Sequence, residues 1–135
     1  MISITKKVYE SMIDNAKNDY PNEACGILAG EPKGLVSVFF PMANMDNASI
    51  SYFMDPKEQL SVFKKMREIG VEMSGIFHSH VASEAYPSQK DIRLAFYSEV
   101  SYFIVSLMDM KKPVLRSFKI QNEKVAEEEI KVIDN

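Results

Sequence analysis

Residues 75–92 read GIFHSHVASEAYPSQKDI: an apolar run that ends in two histidines, a seven-residue loop, and a polar segment that opens a helix. His78 and His80 are the chain's only histidines. In a strand, residues i and i+2 leave the same face about 6.5–7 Å apart along the chain, so the two imidazoles can converge on one ion. Zinc accepts imidazole nitrogen and carboxylate oxygen, and a catalytic zinc site takes three protein ligands. The nearest downstream carboxylates are Glu84 in the loop and Asp91 in the first turn of the helix that starts near Ser88. A helix fixes a ligand more tightly than a loop tip, which favours Asp91. A reading without chemistry stands beside this one, because Ser88-Gln-Lys-Asp91 also matches a helix capping box. The cap leaves the two histidines before it unexplained.

Outward from this stretch, VEMSGIFHSH (71–80) reads as a strand, and a helix fits the segment before it. In that helix Asp55-Pro56 is the entry, Gly70 the stop, and Leu60, Phe63, Met66 and Arg67 fall on one side. Nearer the N-terminus, Val8, Met12, Ile13 and Ala16 recur at helical spacing behind Thr5 as N-cap. The run ACGILAG (24–30) is short and apolar like a buried strand, and LVSVFF (35–40), after the turn EPKG, makes a hairpin with it. Ile50–Met54 reads as a further short strand. VSYFIVSLM (100–108), PVLRSFKI (113–120) and VAEEEIKVID (125–134) complete a strand-rich C-terminal half. The expected architecture is one α/β or α+β domain over residues 1–135, a mixed sheet flanked by helices.

Composition narrows the function. Sixteen Lys and Arg against nineteen Asp and Glu leave a net charge of −3, with no basic excess to meet a phosphate backbone, so nucleic acid is a poor partner. No apolar stretch approaches the roughly 20 residues of a spanning helix, and no apolar core follows the N-terminal lysines, so neither membrane nor secretory signal is expected. One cysteine, Cys25, excludes an internal disulfide and agrees with a reducing cytoplasm. Within its apolar strand Cys25 reads as a small buried hydrophobe rather than a nucleophile or fourth ligand. The run Glu127–Glu129 reads as a solvated strand edge.

The pattern His78-Ser-His80, seven residues, Ser88, two residues, Asp91, with Glu23 upstream in NEACGILAG, resembles the JAMM (MPN+, JAB-domain) metalloproteases of the compact prokaryotic type. Their pattern is a glutamate followed by His-x-His-x(7)-Ser-x(2)-Asp, and every fixed position is filled in register. The resemblance extends over most of the chain, including the opening helix, the glutamate before a Cys-Gly-Ile-Leu strand and the helix entry at Phe53–Pro56. One departure is Val81, where members often carry proline after the second histidine.

What the resemblance implies is a cytidine-deaminase-like JAMM fold and one zinc ion per chain. His78, His80 and Asp91 would be its ligands, Glu23 the general acid/base and Ser88 an oxyanion-stabilising donor. The implied activity is a zinc-dependent isopeptidase or peptidase that hydrolyses amide bonds at the C-terminal tail of ubiquitin-like or sulfur-carrier proteins. The tail would bind by adding to a sheet edge. The ligand set also suits iron or cobalt. A non-catalytic MPN-like scaffold is the alternative, although such scaffolds usually lack several ligands and this chain lacks none. A zinc deaminase would need Pro-Cys-x-x-Cys, which a single cysteine cannot supply. Oligomeric state is left open, a homodimer included.

Overall fold

In the computed structural model, which describes residues 1–134, the chain runs through β1 (Ile2–Thr5), α1 (Lys6–Asp19), β2 (Cys25–Gly30), β3 (Val36–Met42), α2 (Pro56–Ile69), β4 (Glu72–His80), α3 (Gln89–Arg93), β5 (Ser101–Ser106), β6 (Val114–Gln121), β7 (Lys124–Glu128) and β8 (Ile130–Ile133). The strands form one mixed sheet in the order β7-β6-β5-β4-β2-β3-β1-β8. The fold is α+β, as expected, and the hairpin of β2 and β3 is antiparallel with Cys25 opposite Met42. None of the described helices is long and apolar enough to cross a membrane.

Alternation along the strands gives the sheet two apolar faces. Leu28, Phe77, Phe103 and Val105 pack against Val8, Met12 and Ala16 of α1. The residues between them, Ile27 and Ala29, join Met66 of α2 on the other face. Thr5 caps α1 by accepting the Val8 N–H at 3.1 Å, and Asp55 caps α2 ahead of Pro56. Gly70, at φ 77°, ends α2 in the left-handed conformation that favours glycine.

Several expectations need correction. Residues 50–54 form no strand beyond an isolated bridge between Met54 and Asn44. The Asn44 side chain takes the Ser51 carbonyl and the Phe53 N–H, which are the groups a strand ladder would use. On α2, Met66 is buried but Leu60 is 69% exposed and Arg67 is also exposed; the inward stripe is Val62, Phe63 and Met66. Ahead of α1, Ile2–Thr5 is a strand that the sequence reading passed over, parallel to both β3 and β8.

The C-terminal strands go to opposite ends of the sheet. β7 extends β6 at one edge and β8 extends β1 at the other, with only Glu129 between them. Consecutive Cα atoms lie about 3.8 Å apart, so the sheet must curl until its edges nearly meet. Glu128 holds this turn: its Oε2 accepts the Ser101 and Ser117 hydroxyls at 2.6 and 2.9 Å, and both serines are fully buried. The acidic run is thus only partly a solvated edge. Replacing Glu128 with Ala leaves two buried hydroxyls without an acceptor. The expected cost is about 1–3 kcal/mol, read as a lower denaturant midpoint with an unchanged slope; an unchanged midpoint would refute the role.

Candidate metal centre

The donors assemble where β4 ends. This strand is paired on both sides, with His78 beside Cys25 of β2 and Ile104 of β5, and His80 beside Ser106. Leu107 N–H donates to the His80 carbonyl at 2.9 Å, so both histidines sit on a rigid strand end. β4 and β5 are parallel neighbours joined through α3, and ligand sites in such sheets lie at the carboxyl ends of the strands. Because β4 is already paired on both sides, a peptide tail cannot add to it.

Asp91 arrives by the cap. The Ser88 Oγ accepts the Asp91 N–H at 3.1 Å, and Asp91 Oδ2 accepts the Ser88 N–H at 2.9 Å, a complete capping box. The same Oδ2 lies 3.1 Å from His78 Nε2 and 3.1 Å from His80 Nε2, and the two Nε2 atoms are also 3.1 Å apart. Capping and the candidate ligand role therefore coexist in one carboxylate. Glu84 contributes through its backbone and not its carboxylate. Its backbone carbonyl, 2.7 Å from His80 Nδ1, can only accept, so that nitrogen carries a proton, and when the ring is neutral its Nε2 lone pair faces the cluster.

Ligand atoms about 2.0–2.1 Å from a tetrahedral ion lie roughly 3.3 Å apart, close to the observed triangle. Calcium, at about 2.3–2.6 Å and with oxygen ligands, fits neither the spacing nor the imidazoles. Among the described residues His78, His80 and Asp91 are the group that could hold a metal ion. Cys25 is not in it although it is the cross-strand neighbour of His78. Burial pushes its thiol up to about 12, and the sulfur lies 3.7 Å from the Met42 and Ala43 carbonyls.

Electrostatics agree with a site for positive charge. Burial works against the ionised Asp91, yet the hydrogen bonds from both imidazoles and from Ser88 hold its carboxyl well below the usual carboxylate range. Burial lowers the His78 pKa and keeps that ring neutral, the ligand form. For His80 burial also opposes the charge, but Asp91 and the Glu84 carbonyl outweigh it and raise the pKa. A proton on His80 bridges one side of the triangle, whereas an ion at its centre serves all three.

Glu23, one residue from the buried Ala24, is itself buried rather than solvated in its turn. Desolvation lifts its pKa to about 7, with His80 and Lys90 pulling it down and Asp91 pushing it up. The Glu23 segment is tied to β4 through Ser79. The Ser79 Oγ accepts the Ala24 N–H at 2.8 Å, and the Ser79 N–H donates to the Ala24 carbonyl at 3.0 Å. Sequence reasoning missed this fully buried serine, although alternation places it on the face opposite the imidazoles.

The family description "prokaryotic homologs of the JAB domain" matches residues 5–121. The chain belongs to this JAB-domain family. The CysO-cysteine peptidase of Mycobacterium tuberculosis is 36% identical over 135 residues, 99% of this chain and 92% of the relative. The desampylase of Haloferax volcanii is 29% identical over 111 residues, 78% and 80% of the two chains. Among solved structures, protein DSY2949 of Desulfitobacterium hafniense is 45% identical with a TM-score of 0.92, and the match covers 100% of this chain and 94% of that one. The JAB-domain match spans all five residues singled out in the sequence, and the structure brings His78, His80 and Asp91 into one cluster, with Ser88 bonded to Asp91.

A carboxyl raised from about 4.5 to about 7 by folding gives a defined pH signature. The unfolded chain ionises it first, so its burial costs stability increasingly as pH rises from 4.5, levelling off above 7. In metal-free protein, Glu23→Gln is expected to gain melting temperature over the parent as pH rises through that window, with little difference near pH 4.5. A difference that does not change with pH would show that Glu23 is not desolvated.

Proposed function

We propose that this JAB-domain chain is a zinc-dependent metallopeptidase that hydrolyses amide or isopeptide bonds at the C-terminal tail of a ubiquitin-like or sulfur-carrier protein. The observation that carries the reading is the 3.1 Å triangle of two imidazole nitrogens and a carboxylate oxygen. Its substrate class is supported by the family, and by a relative named as a CysO-cysteine peptidase that matches nearly the whole chain.

In this reading His78, His80 and Asp91 hold one zinc ion per chain. Zinc supplies Lewis-acid charge, which acidifies water and polarises a carbonyl. Glu23 takes the proton of the attacking water and returns it to the departing amine. A pKa near 7 suits both transfers, because the group is neither too weak a base nor too weak an acid at neutral pH. Ser88 accepts the Asp91 N–H with a lone pair, so its own O–H is left to donate to the developing oxyanion. One such donor is worth about 3 kcal/mol. No covalent intermediate is required. The lone buried thiol suits a reducing cytoplasm.

A scaffold would need neither a three-donor cluster nor a desolvated base beside it. Incubating the protein with carrier-protein fusions, with and without chelator, and reading products by mass spectrometry tests the proposal. Metal-dependent cleavage at the carrier tail is expected; no cleavage by zinc-loaded protein across the panel would favour the scaffold. Glu23→Gln is expected to keep stoichiometric zinc while turnover falls by about 10²–10⁴, and native turnover in that variant would remove Glu23 from the mechanism. His80→Ala is expected to lose most of its zinc, and full occupancy by elemental analysis would contradict the ligand assignment.

A further inference from the structure

The two candidate histidine ligands are held in different ways. Metal-bound imidazoles normally have their second nitrogen fixed by a hydrogen bond, which sets the ring's orientation. His80 has such a partner in the Glu84 carbonyl. His78 does not: its Nδ1 is buried without a hydrogen-bond partner among the described residues. What lies against its ring instead is Tyr52, stacked face to face with centroids 4.7 Å apart and planes 21° from parallel.

Tyr52 belongs to the segment between β3 and α2, and that segment also grips Glu23. The Asn44 amide uses all four of its hydrogen-bonding positions. It donates to the Glu23 carbonyl at 3.0 Å and to the Ser51 carbonyl at 2.9 Å, and it accepts the N–H groups of Asp46 and Phe53, both at 3.0 Å. Ser51 and Phe53 are the two neighbours of Tyr52, so Asn44 fixes the backbone on both sides of the stacked ring. The Glu23 N–H donates to the Ala48 carbonyl of the same segment at 2.8 Å.

We propose that Tyr52 is a positioning residue that fixes the His78 imidazole by stacking, and that Asn44 anchors Tyr52 and the Glu23 backbone to one another. The stack replaces the hydrogen bond that His78 lacks. An imidazole between a paired strand and an aromatic plane cannot tilt out of line, so its Nε2 stays aimed at the cluster. The phenol hydroxyl plays no part in this; burial raises its pKa and keeps it neutral. Base and ligand therefore share one support, although they lie 55 residues apart in sequence.

The inference rests on the metal-site reading, and the test separates the two. Zinc affinity is measured by competition with a chromophoric chelator for the parent, Tyr52→Phe, Tyr52→Leu and Asn44→Asp, together with the visible spectrum of the cobalt-loaded forms and the melting temperature of the metal-free forms. Tyr52→Phe keeps the aromatic plane and is expected to bind within about twofold of the parent with the same cobalt spectrum. Tyr52→Leu keeps apolar bulk without the plane and is expected to bind about tenfold or more weakly, with an altered spectrum. Asn44→Asp loses both donated bonds and is expected to weaken zinc binding in the same direction; it carries the test if Tyr52→Leu does not fold. Parent-like affinity in Tyr52→Leu, or in Asn44→Asp, would overturn the proposal, as would a loss in Tyr52→Phe equal to that in Tyr52→Leu. A parent that takes up no zinc would instead overturn the metal-site reading.

Discussion

Three donor atoms meet at the end of β4 with 3.1 Å between each pair, and so close an approach needs a proton or a metal ion among them. The surrounding structure delivers those atoms. Pairing on both sides of β4 makes the histidine strand rigid, parallel entry of β5 leaves the strand end free, and the α3 cap turns a carboxylate back toward it. In such an enclosure an ion would be bound by geometry already formed rather than by side chains gathered from solvent.

The capping box shows how little extra structure the site requires. Ser88 and Asp91 satisfy each other's backbone N–H groups, which is sufficient reason for both to be there in any helix. The lone pairs left on Asp91 Oδ2 face the imidazoles, and the Ser88 hydroxyl proton is left unused by the cap. The loop between β4 and α3 works through its backbone: the Glu84 carbonyl meets His80, and the Ser83 carbonyl accepts the Ser106 hydroxyl at 2.6 Å. Of its side chains, Ala85 is buried and Tyr86 packs edge-on against Phe118 of β6, while Ala82, Ser83 and Glu84 are exposed. Val81, half-buried at the head of that loop, is where this sequence leaves the usual family wording.

Features set by local chemistry were legible in the sequence. Thr5, Asp55, Gly70 and Ser88 announce helix ends through capping groups that act within a few residues. The 25–30 and 36–42 strands announce a hairpin, and the His-x-His alternation puts two imidazoles on one face. Features set by distant partners were not. β1 has four residues and exists because β3 and β8 flank it. The 125–134 run looks like continuous strand, and only the curl of the whole sheet explains why it divides at Glu129. Residues 50–54 have strand composition, but the Asn44 amide captures their backbone. Leu60 has the right helical phase, yet α2 turns it to solvent. At the site, residue types pointed to His78, His80 and Asp91, while Ser79, the Glu84 carbonyl, Asn44 and Tyr52 act through contacts that no short motif records.

One ion is expected among two imidazole nitrogens and one carboxylate oxygen, with the neighbouring Cys25 thiol uninvolved. X-ray absorption at the zinc edge of the loaded protein tests this directly. Nitrogen and oxygen scatterers at about 2.0–2.1 Å are expected, with the outer-shell pattern of two imidazoles. A sulfur scatterer at about 2.3 Å, or the absence of an imidazole pattern, would contradict it.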